Sequence, residues 1–189
     1  MADRISLSKD WYKRGEQLHE EYELKQEPRV LFESYIYLWI ALTVAAKEYC
    51  ACAGVSFKSL NGQRSTDKDE ILHWAMLFQG DIITMLKENI DLVFDLCERR
   101  GARSGQPIMD TESEETVNYH EQFIRCWANN TENSNKRQIV RTFILILNRV
   151  RNNLFHGAKS FRIENDIEIL ELTTPLLKEL TKLCVDTFK

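Results

Sequence analysis

An all-α fold is the expectation for this chain, on three observations. Glycine and proline are scarce, 7 and 3 in 189 residues, which disfavours a turn-rich β architecture. Apolar residues recur at helical spacing over long segments. Start and stop signals stand between those segments. With 43% hydrophobic residues the chain can bury a sizeable core. Its length fits one domain over residues 1–189.

Ser8 is placed to cap a first helix reaching about Lys25, with Trp11, Leu18 and Tyr22 on one side. Pro28 suits the first turn of a second helix over about Arg29 to Cys52, closed near Gly54. That helix is apolar around most of its circumference (Leu31, Phe32, Tyr35, Ile36, Leu38, Trp39, Ile40, Leu42), as a central buried helix is. Glu33 on such a helix needs a partner. Residues 54–66 read as a loop. Thr66-Asp67-Lys68-Asp69 resembles a capping box opening a third helix through about Phe78. Gly80-Asp81 kinks or restarts it, and one helix then runs to about Arg99 on the stripe Ile82, Leu86, Ile90, Val93 and Leu96.

Residues 100–114 have loop composition, Ser113 to about Ala128 reads as a shorter helix, and 129–135 as a polar connector. The clearest helix runs from about Asn135 to Phe155, with Gly157 as its stop. A last helical region covers about Asp166 to Phe188, and Thr174-Pro175 is expected to break it in two.

The net charge of −4 excludes a generally basic nucleic-acid binder. Yet Lys136, Arg137, Arg141, Arg149, Arg151, Lys159 and Arg162 share one segment without an acid. A local basic stretch on an acidic body suggests an anion site, or a solvated helix face. Five cysteines without a CxxC pair suggest reduced structural thiols and a cytoplasmic protein. The most apolar stretch, Tyr35 to Ala46, is too short to span a bilayer, so no membrane association is expected. His19, His73 and His120 are scattered without metal-ligand spacing, so neither metal nor cofactor is expected. The four tryptophans read as core or interface residues.

The segment RVRNNLFHGAK, residues 149–159, holds the candidate chemistry. On a helical wheel Ile139, Phe143, Leu147, Val150 and Leu154 form the core stripe, while Arg141, Asn148, Arg149, Asn152 and His156 gather opposite. An imidazole titrating near neutrality moves protons, a guanidinium grips phosphate with two donors, and an amide orients either. Alternatively, His156 simply interacts with the last helix carbonyls. Arg151 and His156, five residues apart, stand about 140° apart on a regular helix. Either the helix distorts before Gly157 or two chains meet across a dimer axis.

Arg151-Asn152-Asn153-Leu154-Phe155-His156 resembles the R-N-x-x-x-H signature of the HEPN superfamily. Phe32 to Ala41, FESYIYLWIA, resembles the second helix of HEPN proteins sharing the R-N-N-L-F-H-G ending. The likeness covers roughly residues 28–55 and 136–188. It implies a HEPN-like up-and-down helical bundle, usually dimeric, with residues 56–135 as an extra helical insertion. It further implies a metal-independent ribonuclease that leaves a 2′,3′-cyclic phosphate and a 5′-OH, as in toxin–antitoxin and antiviral defence systems. His156 then matches the catalytic histidine, Arg151 the phosphate-facing arginine, Asn152 the orienting amide, and Glu33 an acid holding Arg151 or His156. Asn148, Arg149, Asn153 and Lys159 are substrate-binding candidates. RNA, a second copy of the chain and an antitoxin or regulatory protein are the expected partners.

One departure concerns the toxins whose motif continues as R-x4-H-x-Y. Ala158 stands at the tyrosine position, which argues against a tyrosine-modifying antitoxin acting there. The competing expectations are a non-catalytic HEPN module that binds RNA, a nucleotide or a protein, and a helical interaction domain with a fortuitous motif.

Overall fold

The structure is a computed structural model and describes residues 2–55, 66–104, 119–129, 133–155 and 164–188. Those residues form eight helices and no strand: α1 (Ala2–Lys25), α2 (Pro28–Cys52), α3 (Asp67–Leu77), α4 (Gln79–Glu88), α5 (Ile90–Ser104), α6 (Tyr119–Ala128), α7 (Asn133–Phe155) and α8 (Glu164–Asp186). The all-α class follows the sequence.

α2 packs chiefly against α1 and α8, then α3. Leu31, Tyr35, Leu38, Ala41, Leu42 and Ala46 on it are fully buried. α2 is long and apolar enough to cross a membrane, but 56% of its most apolar window is buried inside the bundle, as in a core helix. Pro28 occupies its first turn, where a missing N–H costs nothing, and Gly54 beyond its end takes φ +67, which glycine adopts without strain.

α1 lies close against α2 because small residues line the contact. A Cβ on Gly15 would come within 2.7 Å of Leu38 Cγ. Ser34 Oγ donates to the Gly15 carbonyl at 2.7 Å, and Ser8 Oγ donates to the Ala41 carbonyl at 2.8 Å. Ser8 is therefore no N-cap. α1 begins at Ala2, six residues before Ser8, and Ser8 bonds across to a neighbouring helix instead.

Two other boundaries differ from expectation. The helix expected to run from Gly80 to about Arg99 is divided at Asn89, whose backbone leaves helical geometry while its Nδ2 donates to the Met85 carbonyl at 2.9 Å. A short amide side chain competes in this way with the helix ladder. Conversely, α8 continues through Pro175. Interior proline costs a helix about 3 kcal/mol, but the turn around it is fixed by buried Thr173, Thr174, Leu176, Leu177 and Leu180.

The capping box is as read. Thr66 N donates to Asp69 Oδ2 at 3.0 Å, and Asp69 N donates back to Thr66 Oγ1 at 3.4 Å. Residues from the middle of the chain, Ile71, Trp74, Ile82, Leu86, Val93, Leu96 and Phe123, join the same hydrophobic core as α2, α7 and α8. Whatever its origin, the 56–135 segment contributes to one shared interior. All five cysteines are free, and burial pushes the Cys50 thiol up to about 11.

α7 is the second buried helix. Every side chain from Thr142 to Leu147 is buried, and Tyr35 Oη of α2 donates to the Leu147 carbonyl at 2.9 Å. Burial and desolvation raise the Tyr35 phenol above its ordinary range, partly offset by the charge of Arg151, so it remains a neutral donor.

Candidate functional site

Beyond Leu147, α7 changes character. The core stripe continues through Val150 and Leu154, both buried. Asn148, Arg149, Arg151 and Asn152 between them are half-buried. The residues separated on the wheel from the core stripe are thus the ones that meet solvent. Arg141, about two turns into the helix, is exposed.

Arg151 is where three helices converge. Its Nη1 donates to Asn152 Oδ1 at 3.0 Å, a bond between neighbours on α7. Its guanidinium carbon stands 6.0 Å from the ring centroid of Trp39, on α2. Its Nη2 lies 3.9 Å from Asp67 Oδ2, at the start of α3. An indole is the strongest aromatic partner for a cation and attracts it without neutralising its charge. Asp67 opposes that charge at a distance longer than a charge-assisted hydrogen bond. The Arg151 side chain is 28% exposed.

Each partner is fixed by its own element. Trp39 is 2% exposed within the α2 core face, and its Nε1 is buried without a hydrogen-bond partner among the described residues. Asp67 is the first residue of α3, held there by the Thr66–Asp69 capping box. Asn152 is the next residue of α7 after Arg151, so its bond forms without long-range closure.

Glu33 is not brought to this point. Its Oε1 accepts from Arg29 Nε at 2.9 Å, one helical turn earlier on α2. On a regular helix Glu33 stands about 120° from Trp39 and about 160° from Tyr35, so it faces away from the side of α2 that meets Arg151. Its need for a partner is met locally, and the acid beside Arg151 is Asp67. His156 and Lys159 lie outside the described residues, as do Gly157, Ala158 and the Asn153 side chain.

Sequence reasoning singled out Arg151 and Asn152 but not Asp67 or Trp39, which the structure places beside Arg151. Thr66-Asp67-Lys68-Asp69 announces a helix start, and nothing in it points to a distant arginine. Trp39 reads as core because it is core, and its face toward Arg151 is a tertiary fact.

His19 and His120 are buried. Among the described residues no group of His, Cys, Asp or Glu could hold a metal ion. Trp74 stacks on Phe78, Trp127 stacks on Phe123 and Trp11 meets Tyr37 edge-on, so three of the four tryptophans are engaged within the bundle.

Comparison with known protein families, with curated proteins and with solved structures gives no match for this chain.

Proposed function

We propose that this chain is a metal-independent endoribonuclease of the HEPN type, working as a homodimer in the cytoplasm as a toxin or defence effector. The observation that carries the proposal is the presentation of Arg151. It stands one turn before the end of α7, in an R-N-x-x-x-H sequence, oriented by Asn152 and Trp39 and still partly exposed.

In the proposed reaction the ribose 2′-oxygen attacks the adjacent phosphorus. The P–O5′ bond breaks, one proton leaves the 2′-OH and one arrives on O5′. The products are a 2′,3′-cyclic phosphate and a 5′-OH, and DNA is not a substrate because it lacks the nucleophile. His156 carries a proton transfer. Arg151 stabilises the charge that builds on the pentacoordinate phosphorus, with Asn152 fixing its fork. Asn148, Arg149, Asn153 and Lys159 serve the flanking phosphates, contacts that position RNA without reading its sequence. The angular separation of Arg151 and His156 is the reason for a composite site built from two copies. An antitoxin or regulatory protein is the further partner, and Ala158 argues against control by tyrosine modification.

The test is a panel of single-stranded and structured RNAs incubated with the protein in EDTA. Cleavage by the wild type that disappears in His156→Ala supports the enzyme. A panel left intact but bound favours the second function, a non-catalytic module binding RNA, a nucleotide or a protein.

A further inference from the structure

We propose that Asp67 is a carboxylate gate on Arg151: it faces the Nη2 edge of the guanidinium and gives way when an RNA phosphate binds. This rests on the ribonuclease function proposed above, and it adds a regulatory residue to that site from a different helix.

Three features of the pair support it. First, the two edges of the guanidinium are treated differently. Nη1 is fixed at 3.0 Å by the neutral amide of Asn152, whereas Nη2 faces a charged carboxylate at 3.9 Å. An amide can stay in place when phosphate binds, but a carboxylate pointing at the same donors repels it. Second, the two partners are unequally exposed, Arg151 at 28% and Asp67 at 50%. Asp67 is therefore the more accessible member of the pair. Third, the Asp67 side chain takes no part in the bonds that start α3. The capping bonds of α3 are made by Thr66 and Asp69, so Asp67 can swing away without breaking the helix start.

The Arg29–Glu33 pair shows that a shorter contact is accessible to an arginine and a carboxylate in this fold. A longer contact between half-exposed groups has a small coupling, which a singly charged RNA phosphodiester with its neighbouring phosphates overcomes. The arrangement favours polyanions over single small anions, because flanking phosphates held elsewhere on α7 supply the remaining attraction.

The experiment compares wild type, Asp67→Asn, Asp67→Glu and Arg151→Met in two assays. One measures binding of a 2′-O-methyl RNA oligonucleotide, which lacks the nucleophile, by fluorescence anisotropy across a salt series. The other measures cleavage of the unmodified RNA. Thermal melts check that α3 survives. Asp67→Asn is expected to tighten binding and lower KM by roughly two- to five-fold, with kcat little changed. It should steepen the salt dependence by about 0.7 in log–log slope, as one added net phosphate contact does. Asp67→Glu should behave as wild type, and in a double variant carrying Arg151→Met the Asp67→Asn change should no longer tighten binding. Unchanged or weaker binding in Asp67→Asn, with the wild type cleaving RNA, overturns the gate and leaves the ribonuclease standing. A fall in kcat with KM constant overturns it equally and makes Asp67 a positioning residue. Wild type and variant both inert and both failing to bind overturn the function and the gate together.

Discussion

Two arginines of this bundle each sit beside a carboxylate, and they are held in opposite ways. Arg29 Nε meets Glu33 at 2.9 Å, one turn along the same helix, with the arginine side chain 78% exposed. Arg151 meets Asp67 at 3.9 Å, across from another helix, with 28% of its side chain exposed, an indole under its plane and an amide on its second edge. The shorter contact is the less organised one. It follows from helix geometry alone and contributes little, because both groups are well hydrated. The longer contact requires α2, α3 and α7 to be assembled. Distance alone therefore ranks the two arginines wrongly, and the number of elements that converge on each ranks them better.

The largest effect expected from this contrast is on cleavage. Arg151→Met should lower kcat by about 10²–10³, the scale of removing one preorganised donor to a developing oxyanion. Arg29→Met should leave kcat within about two-fold, since an exposed pair of this kind contributes at most about 1 kcal/mol. Equal losses in single-turnover assays would break the comparison.

A second variant separates the ring from the rest of the site. Trp39→Leu removes the indole beneath Arg151 and also shrinks a residue that is 2% exposed. It should cost about 2–4 kcal/mol in denaturant unfolding from lost packing. At temperatures where the variant is folded it should also raise KM for RNA. A variant that is less stable but kinetically normal would confine Trp39 to the core.

Tyr35→Phe probes the tie between α2 and α7 above Arg151. The buried hydroxyl donates to the Leu147 carbonyl at 2.9 Å, so its loss should cost about 0.5–1.5 kcal/mol of stability. The double-mutant coupling between Arg29 and Glu33 should be smaller still, about 0.3–0.5 kcal/mol, and should fall with added salt.

The last expected effect is a pH response that belongs to the α1 side of the molecule. His19 has its pKa lowered from 6.5, chiefly by burial and then by Lys178, with Glu23 and Glu20 opposing. The folded state thus binds its proton less readily than the unfolded chain does. Stability should be full above about 6.5, decline as the pH falls below it, and level off beneath the folded-state value. His19→Gln should flatten that part of the pH–stability curve without altering cleavage at pH 7.5. A cleavage defect in that variant would link two regions that share no described contact at the site.

Much of the fold was legible in local pattern. The Ile139–Leu154 stripe of α7, the proline at the start of α2 and the capping box of α3 are short-range signals, and the structure keeps them. The failures share a cause. Ser8 has the chemistry of a cap but bonds across to α2. Pro175 has the chemistry of a break but is overruled by the packing around it. Asn89 breaks a helix whose apolar stripe continues through it. In each case a tertiary contact or a single side-chain bond outweighs propensity.

The site follows the same division. Arg151 and Asn152 stand out in the sequence through their R-N-x-x-x-H setting. Glu33 stands out as an acid on an apolar helix, yet its partner is Arg29, four residues away. Asp67 could not have been found, because its relation to Arg151 exists only once α3 docks beside α7.

The central claim is tested most directly by the ends of the product. A DNA oligonucleotide carrying a single ribonucleotide is incubated with the protein in EDTA, and the fragments are weighed by mass spectrometry. The account predicts one cut, 3′ of the ribonucleotide, leaving a 2′,3′-cyclic phosphate and a 5′-OH, with no cut by His156→Ala or Arg151→Met. A fragment bearing a 5′-phosphate, or the same cut made by His156→Ala, would contradict it.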